Sequence, residues 1–228
     1  MYYIDPIYLY FAIPGFVLAL IAQIIVKTTY SKYSHITSGS NITGLDAAHL
    51  INNNEGFSVT MITTGGKLND YFDPQKNIVN ISSDNSNTDS IANIAVVAHE
   101  FGHVEQKDQT TTLFKIRNVF VPIVNIGSQI GYILFFLGLT LQFFNLAQLG
   151  LILFATTTVF ALLSLPIEYD ASKRAMKLIE KYDLISKDKR YAAKRVLNAA
   201  AFTYVTGFIS SLLNLLYYSN LLGRRSRN

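Results

Sequence analysis

Cysteine and tryptophan are both absent from the 228 residues. Without thiols there is no disulfide framework and no thiolate zinc site, so a metal in this chain must rest on His, Asp or Glu. Charge is the other shortage: only 15% of residues are Asp, Glu, Lys or Arg, against about a quarter in an ordinary soluble domain. The deficit is concentrated in three stretches. No charged residue falls between Asp5 and Lys27, between Arg117 and Glu168, or between Arg195 and Arg224. A helix needs about 20 apolar residues to cross a bilayer. The first and third gaps each fit one crossing, and the middle gap fits two.

The expected fold is therefore a mainly α membrane protein, a four-helix transmembrane bundle with a small α+β polar portion, all one domain over 1–228. The crossings are expected at about 7–26, 119–141, 146–166 and 200–221. The first has no Lys or Arg ahead of it, so it lacks the basic region of a secretory signal and reads as a retained anchor. The polar portion joins 27–117 with 167–199. Its 167–199 segment holds nine Lys and Arg. Positive residues favour the cytoplasm, so this portion is expected to face it, in a multi-pass protein of the cell membrane. The net charge of +4 is explained by these flanking bases. The lipid bilayer, and no nucleic acid, is the expected partner.

Within the polar portion, Leu45, Ala48 and Ile51 share a helical face that Gly56 can close. The alternation in "FSVTMIT" predicts a strand over 57–62, "IVNIS" a second over 78–81, and "KLNDYF" an extended piece between them. "NSNTDSIANIAVVAHEFGHVEQ" opens with capping residues and continues with Ile91, Ile94, Ala98 and Phe101 at helical spacing. The pattern His99-Glu100-x-x-His103 lies on that helix, where positions i and i+4 share one face.

Two imidazoles one turn apart can bind one zinc ion, with the adjoining glutamate beside the open coordination position, placed to take a proton from bound water. A catalytic zinc ordinarily has three protein ligands. No histidine follows His103, Glu105 and Asp108 lie too near on the same helix, and His35 and His49 lie upstream and carry no expected role. Glu168, in "LPIEYDAS", is the best third ligand. Two crossings separate it from His103, which returns the chain to the same membrane face. The other reading of Glu168 is an interfacial carboxylate reaching for water.

These stretches also resemble a known family, the YugP-like neutral zinc metallopeptidases of bacterial membranes. The matching segments are "KLNDYFDPQKNIVNIS", "SIANIAVVAHEFGHVEQ", "VPIVNIGSQIG", "LPIEYDASKRA" and "VLNAAAFTYVTG". The resemblance covers about residues 40 to 210 and the amino-terminal anchor, and extends well beyond the short histidine pattern. It implies one zinc ion, peptide-bond hydrolysis and a gluzincin-type, zincin-like site of two histidines and a distant glutamate facing the cytoplasm. On that footing His99, His103 and Glu168 are the expected ligands, Glu100 is the general base, and the substrate is a peptide or protein, membrane-associated ones included.

The residues leave alternatives open. Asp170 either accepts a hydrogen bond from a ligand histidine or caps the charged helix after it. Arg174 either stabilises an oxyanion or meets anionic lipid, and Tyr71 or Tyr169 are the other oxyanion candidates. The strand edges could hold an extended peptide. Gly127, Ser128 and Gly131 offer a small-residue packing face, and Asn125 and Gln129 are expected to bond across helices. The competing functional class is a non-catalytic membrane scaffold or chaperone with a structural zinc. A transporter-like bundle ranks behind both.

Overall fold

The computed structural model describes residues 6–226. The chain is mainly helical with one small sheet. Its helices are α1 (Pro6–Tyr33), α2 (Gly44–Glu55), α3 (Ser83–Ser86), α4 (Ile91–Asp108), α5 (Thr112–Thr140), α6 (Phe144–Lys181) and α7 (Arg190–Arg225). The strands are β1 (Thr60–Thr64), β2 (Tyr71–Asp73) and β3 (Ile78–Ser82). Two compact units emerge. One takes the chain up to Gln23, Lys115–Pro166 and from Thr203 onward. The other takes Ile24–Phe114 and Ile167–Phe202.

The first unit contains the apolar stretches. Among the described residues four helices are long and apolar enough to cross a membrane, those of α1, α5, α6 and α7. Phe16, Ile126 and Ile133 stand exposed on them, a pattern suited to a hydrocarbon surround and costly in water. The α5–α6 hairpin is packed backbone to backbone. A Cβ on Gly131 would lie 2.9 Å from the carbonyl oxygen of Gly150, and one on Gly138 would lie 2.3 Å from the amide nitrogen of Ala147. Only small residues permit that approach. The small-residue face expected at Gly127 and Gly131 thus continues through Gly138 and Gly150. Asn125 and Gln129, expected to bond across helices, are exposed instead, because Gly127 turns the other side of α5 toward α6.

The helices are longer than the predicted crossings. At 38 residues, α6 is about 57 Å long, nearly twice the hydrocarbon thickness of about 30 Å. The charged helix expected to start afresh after Asp170 is the continuation of α6. Pro166 removes one N–H, yet the good helix formers of "ASKRAMKLIEK" carry the helix on. Similarly, α7 starts at Arg190, ahead of its apolar part.

The second unit is organised around β3, the buried central strand of a sheet ordered β1-β3-β2. It pairs parallel with β1 and antiparallel with β2. The register places Thr60 opposite Ile78, and Asn77 holds the carbonyl of Ser58 through its side-chain amide at 2.7 Å. Pairing therefore starts at Thr60, three residues later than the alternation suggested. Helix α2 begins with a capping box between Thr43 and Asp46 and ends at Gly56 with φ 71°, a left-handed conformation that glycine adopts without strain. Ala48 and Ile51 are buried and Leu45 packs against the same core. That core joins Val79 and Ile81 of β3, Ile94 and Phe101 of α4, and Ile179, Leu184 and Ile185. Fully burying such side chains is worth about 1.5–3 kcal/mol each, which pins α4 and the second half of α6 to the sheet.

Candidate metal centre

The site begins with the start of α4. Ser90 caps it, its side chain accepting the N–H of Asn93, and the helix then buries Ile91, Ile94, Ala98 and Phe101 as expected. His99 and His103 lie on one face, their rings 4.8 Å apart and nearly perpendicular. Between them sits Gly102. A Cβ there would lie 2.4 Å from the carbonyl oxygen of Ala171, so the absence of a side chain lets α6 run against α4 at this level. Three residues before Ala171, Glu168 is thereby brought to the histidines.

One carboxylate oxygen, Glu168 Oε2, is 3.3 Å from His99 Nε2 and 3.4 Å from His103 Nε2. One donor atom from each residue lies within 4.8 Å of the others. Tetrahedral zinc with bonds of about 2.0–2.1 Å holds its ligand atoms about 3.3–3.4 Å apart. Two edges of the triangle already have that length. Two imidazole nitrogens and a carboxylate oxygen are also a donor set that suits zinc. Glu168 is 1% exposed. Burial pushes its carboxyl up, but hydrogen bonding and charge from His103 and His99 outweigh burial and hold it far below the ordinary range. It is ionised.

Glu100 is buried and stands outside this group of three. Its carboxyl is raised to about 7, first by burial, then by the charges of Glu168 and Asp70, against His99 and a hydrogen bond from the Phe72 backbone N–H. Phe72 belongs to β2, an edge strand of the sheet that packs against α4.

The other imidazole nitrogens face protein groups. His99 Nδ1 is 3.3 Å from Ser172 Oγ, and His103 Nδ1 is 2.9 Å from Gln106 Oε1. Gln106 Nε2 donates to the carbonyl oxygen of Ile167 at 2.8 Å and to Asp170 Oδ2 at 2.9 Å. Of the two readings of Asp170, direct contact with a ligand histidine is not the one found: it stands one residue behind His103, with Gln106 in between. It does not cap a helix, since α6 runs through it. Arg174 is engaged by Asp170 at 2.6 Å, Glu105 at 2.8 Å and Gln109 at 2.6 Å, so it serves this cluster. Tyr71 and Tyr169 are half or more exposed. His35 bonds the Ser31 carbonyl at 2.7 Å, and His49 is exposed.

Three contributors were missed from the sequence. Gln106 had a visible signal, since it lies three residues after His103 on the same helix face. Ser172 stands one helical turn after Glu168 in the same way. Asp70 had none: its half-buried carboxylate accepts the Ser82 N–H and hydroxyl and the Asn85 amide, binding the "LNDYFDP" turn to β3 and α3. Burial raises its pKa despite those bonds.

Comparison with known proteins follows the same lines. A family model described as "Putative neutral zinc metallopeptidase" matches residues 8–223. A protein of Bacillus subtilis (strain 168) named "Putative membrane protease YugP" is 33% identical over 213 residues, covering 93% of this chain and 95% of its own. No solved structure matches. With the family model spanning nearly the whole chain and the two histidines and glutamate drawn together in one buried cluster, this chain belongs to the neutral zinc metallopeptidase family.

Proposed function

We propose that the chain is a zinc-dependent membrane endopeptidase. His99, His103 and Glu168 would hold one zinc ion, and the convergence of their three donors, with Glu168 Oε2 3.3 and 3.4 Å from the two imidazole nitrogens, is the observation that carries this reading. Zinc, when bound, supplies an acidified water and a positive charge that polarises the substrate carbonyl. Glu100 takes the proton from the attacking water and returns it to the leaving amine. Its burial suits the task, because burial favours the protonated form and so makes the carboxylate a stronger base than an exposed one.

Three donors favour catalysis over the scaffold reading, since a structural zinc closes its fourth position with a protein ligand. Strand β2 supports a peptide as substrate: it is an edge strand beside Glu100, and an extended chain can pair with such an edge. The bases of 167–199 support a cytoplasmic site in a multi-pass cell-membrane protein.

The test is casein hydrolysis by the purified chain in detergent, beside a Glu100→Gln variant, with zinc content measured in both. Hydrolysis is expected from the zinc-loaded chain, with loss of at least about 10²–10⁴-fold in the variant while zinc is retained. Equal hydrolysis by both would overturn the assignment of Glu100.

A further inference from the structure

We propose that Gln106 is a positioning residue that fixes the tautomer of His103, and so selects Nε2 as the nitrogen offered to the metal. The inference rests on the reading of His103 as a ligand. It starts from an amide whose orientation is determined by its surroundings. Gln106 is 1% exposed, and one end of its amide faces the Ile167 carbonyl oxygen at 2.8 Å and an Asp170 carboxylate oxygen at 2.9 Å. Both partners accept only, so the NH2 must be at that end. The reversed amide would press its oxygen against two others.

The oxygen of Gln106 therefore faces His103 Nδ1 at 2.9 Å. A carbonyl oxygen only accepts, so Nδ1 carries the ring proton. In the neutral ring Nε2 is then a bare electron pair, and it lies 3.4 Å from the Glu168 carboxylate. Two electron-rich atoms at that separation are held together only by a cation between them: a proton, which makes His103 a donor to Glu168, or a metal ion in its place. The amide thus prepares a cation site, and Asp170 and Arg174 hold the amide from behind, Arg174 Nε bonding the same Asp170 oxygen at 2.6 Å.

His99 differs. Its Nδ1 faces Ser172 Oγ at 3.3 Å, and a hydroxyl both donates and accepts, so it selects no tautomer. The two ligands are unequal: one is set in advance, the other adapts.

The experiment titrates the metal-stripped full chain in detergent with zinc alone, against a competing chromogenic chelator, and records the visible spectrum with cobalt. Gln106→Leu should weaken zinc binding about 10–100-fold and alter the cobalt spectrum, while Ser172→Ala changes affinity only a few-fold. Gln106→Glu keeps an acceptor for His103 but sets a carboxylate against Asp170, and should also bind weakly. Adding Asp170→Asn to it gives that carboxylate an N–H to accept from, while the Ile167 carbonyl still faces it, and should recover part of the lost affinity, about tenfold or more over Gln106→Glu alone. Wild-type affinity and an unchanged spectrum in Gln106→Leu overturn the inference. So does a double variant no tighter than Gln106→Glu, which decides the matter where Gln106→Leu does not fold. If instead the unaltered chain binds no zinc, or His103→Ala binds it equally well, the metal-site reading itself falls and the inference with it.

Discussion

Glu100 shows how one buried carboxyl links stability to the site. Its folded value of about 7 lies above the ordinary 4.5, so the fold favours the protonated form. Below about pH 4.5 both folded and unfolded chains carry the proton. As pH rises from there to about 7 the unfolded chain ionises first, and stability is lost across that window. Glu168 titrates in the opposite sense, its depressed carboxyl favouring the fold as pH rises. Comparing wild type with Glu100→Gln isolates the first effect. In the metal-stripped protein the variant should melt a few degrees higher at pH 8 and nearly level with wild type at pH 4, as followed by circular dichroism. Glu168→Gln should weaken zinc binding at least as strongly as loss of a histidine, measured by the same chelator competition, because it removes the charged member of the donor set.

The α4–α6 contact decides whether those residues meet. Its narrowest point is Gly102 against the Ala171 carbonyl. Gly102→Ala improves helix propensity by about 1 kcal/mol, yet the added methyl has nowhere to go but into backbone. The turn of α6 bearing Glu168 must shift. The expected result is a net destabilisation of about 1–3 kcal/mol in urea unfolding, together with weaker zinc binding. A stabilised variant with unchanged affinity would show that the two helices are free to separate. Residue spacing within α4 was legible beforehand because i, i+3 and i+4 are local relations. The start of β1 was not, because Thr60 rather than Phe57 is selected by a partner strand 18 residues away.

For the whole molecule, the absence of cysteine is an experimental opportunity. Single cysteines at exposed Lys187 and Gln142 can be labelled in intact cells with a membrane-impermeant thiol reagent. The charge distribution predicts that Gln142→Cys reacts and Lys187→Cys is protected until the cells are opened. The reverse pattern would turn the proposed site away from the cytoplasm. Four long apolar helices could be read from three uncharged stretches because hydropathy is a property of composition. The exposure of Asn125 and Gln129 could not, since the rotation of α5 is set by Gly131 and Gly138 meeting Gly150 and Ala147.

Chain order alone determined that the apolar helices exist, that the histidines share a face, and that Glu168 is the acid best placed to join them. Those conclusions rest on periodicity, hydropathy and elimination, which need no partner surface. The tertiary structure alone decided that His103 is held by Gln106 rather than Asp170, that Asp70 adds to the field on Glu100, and that Arg174 is consumed by its neighbours. Each depends on which side chains two packed helices and an edge strand bring within hydrogen-bond or Coulomb range, and a few ångströms of packing select among candidates that composition leaves equivalent.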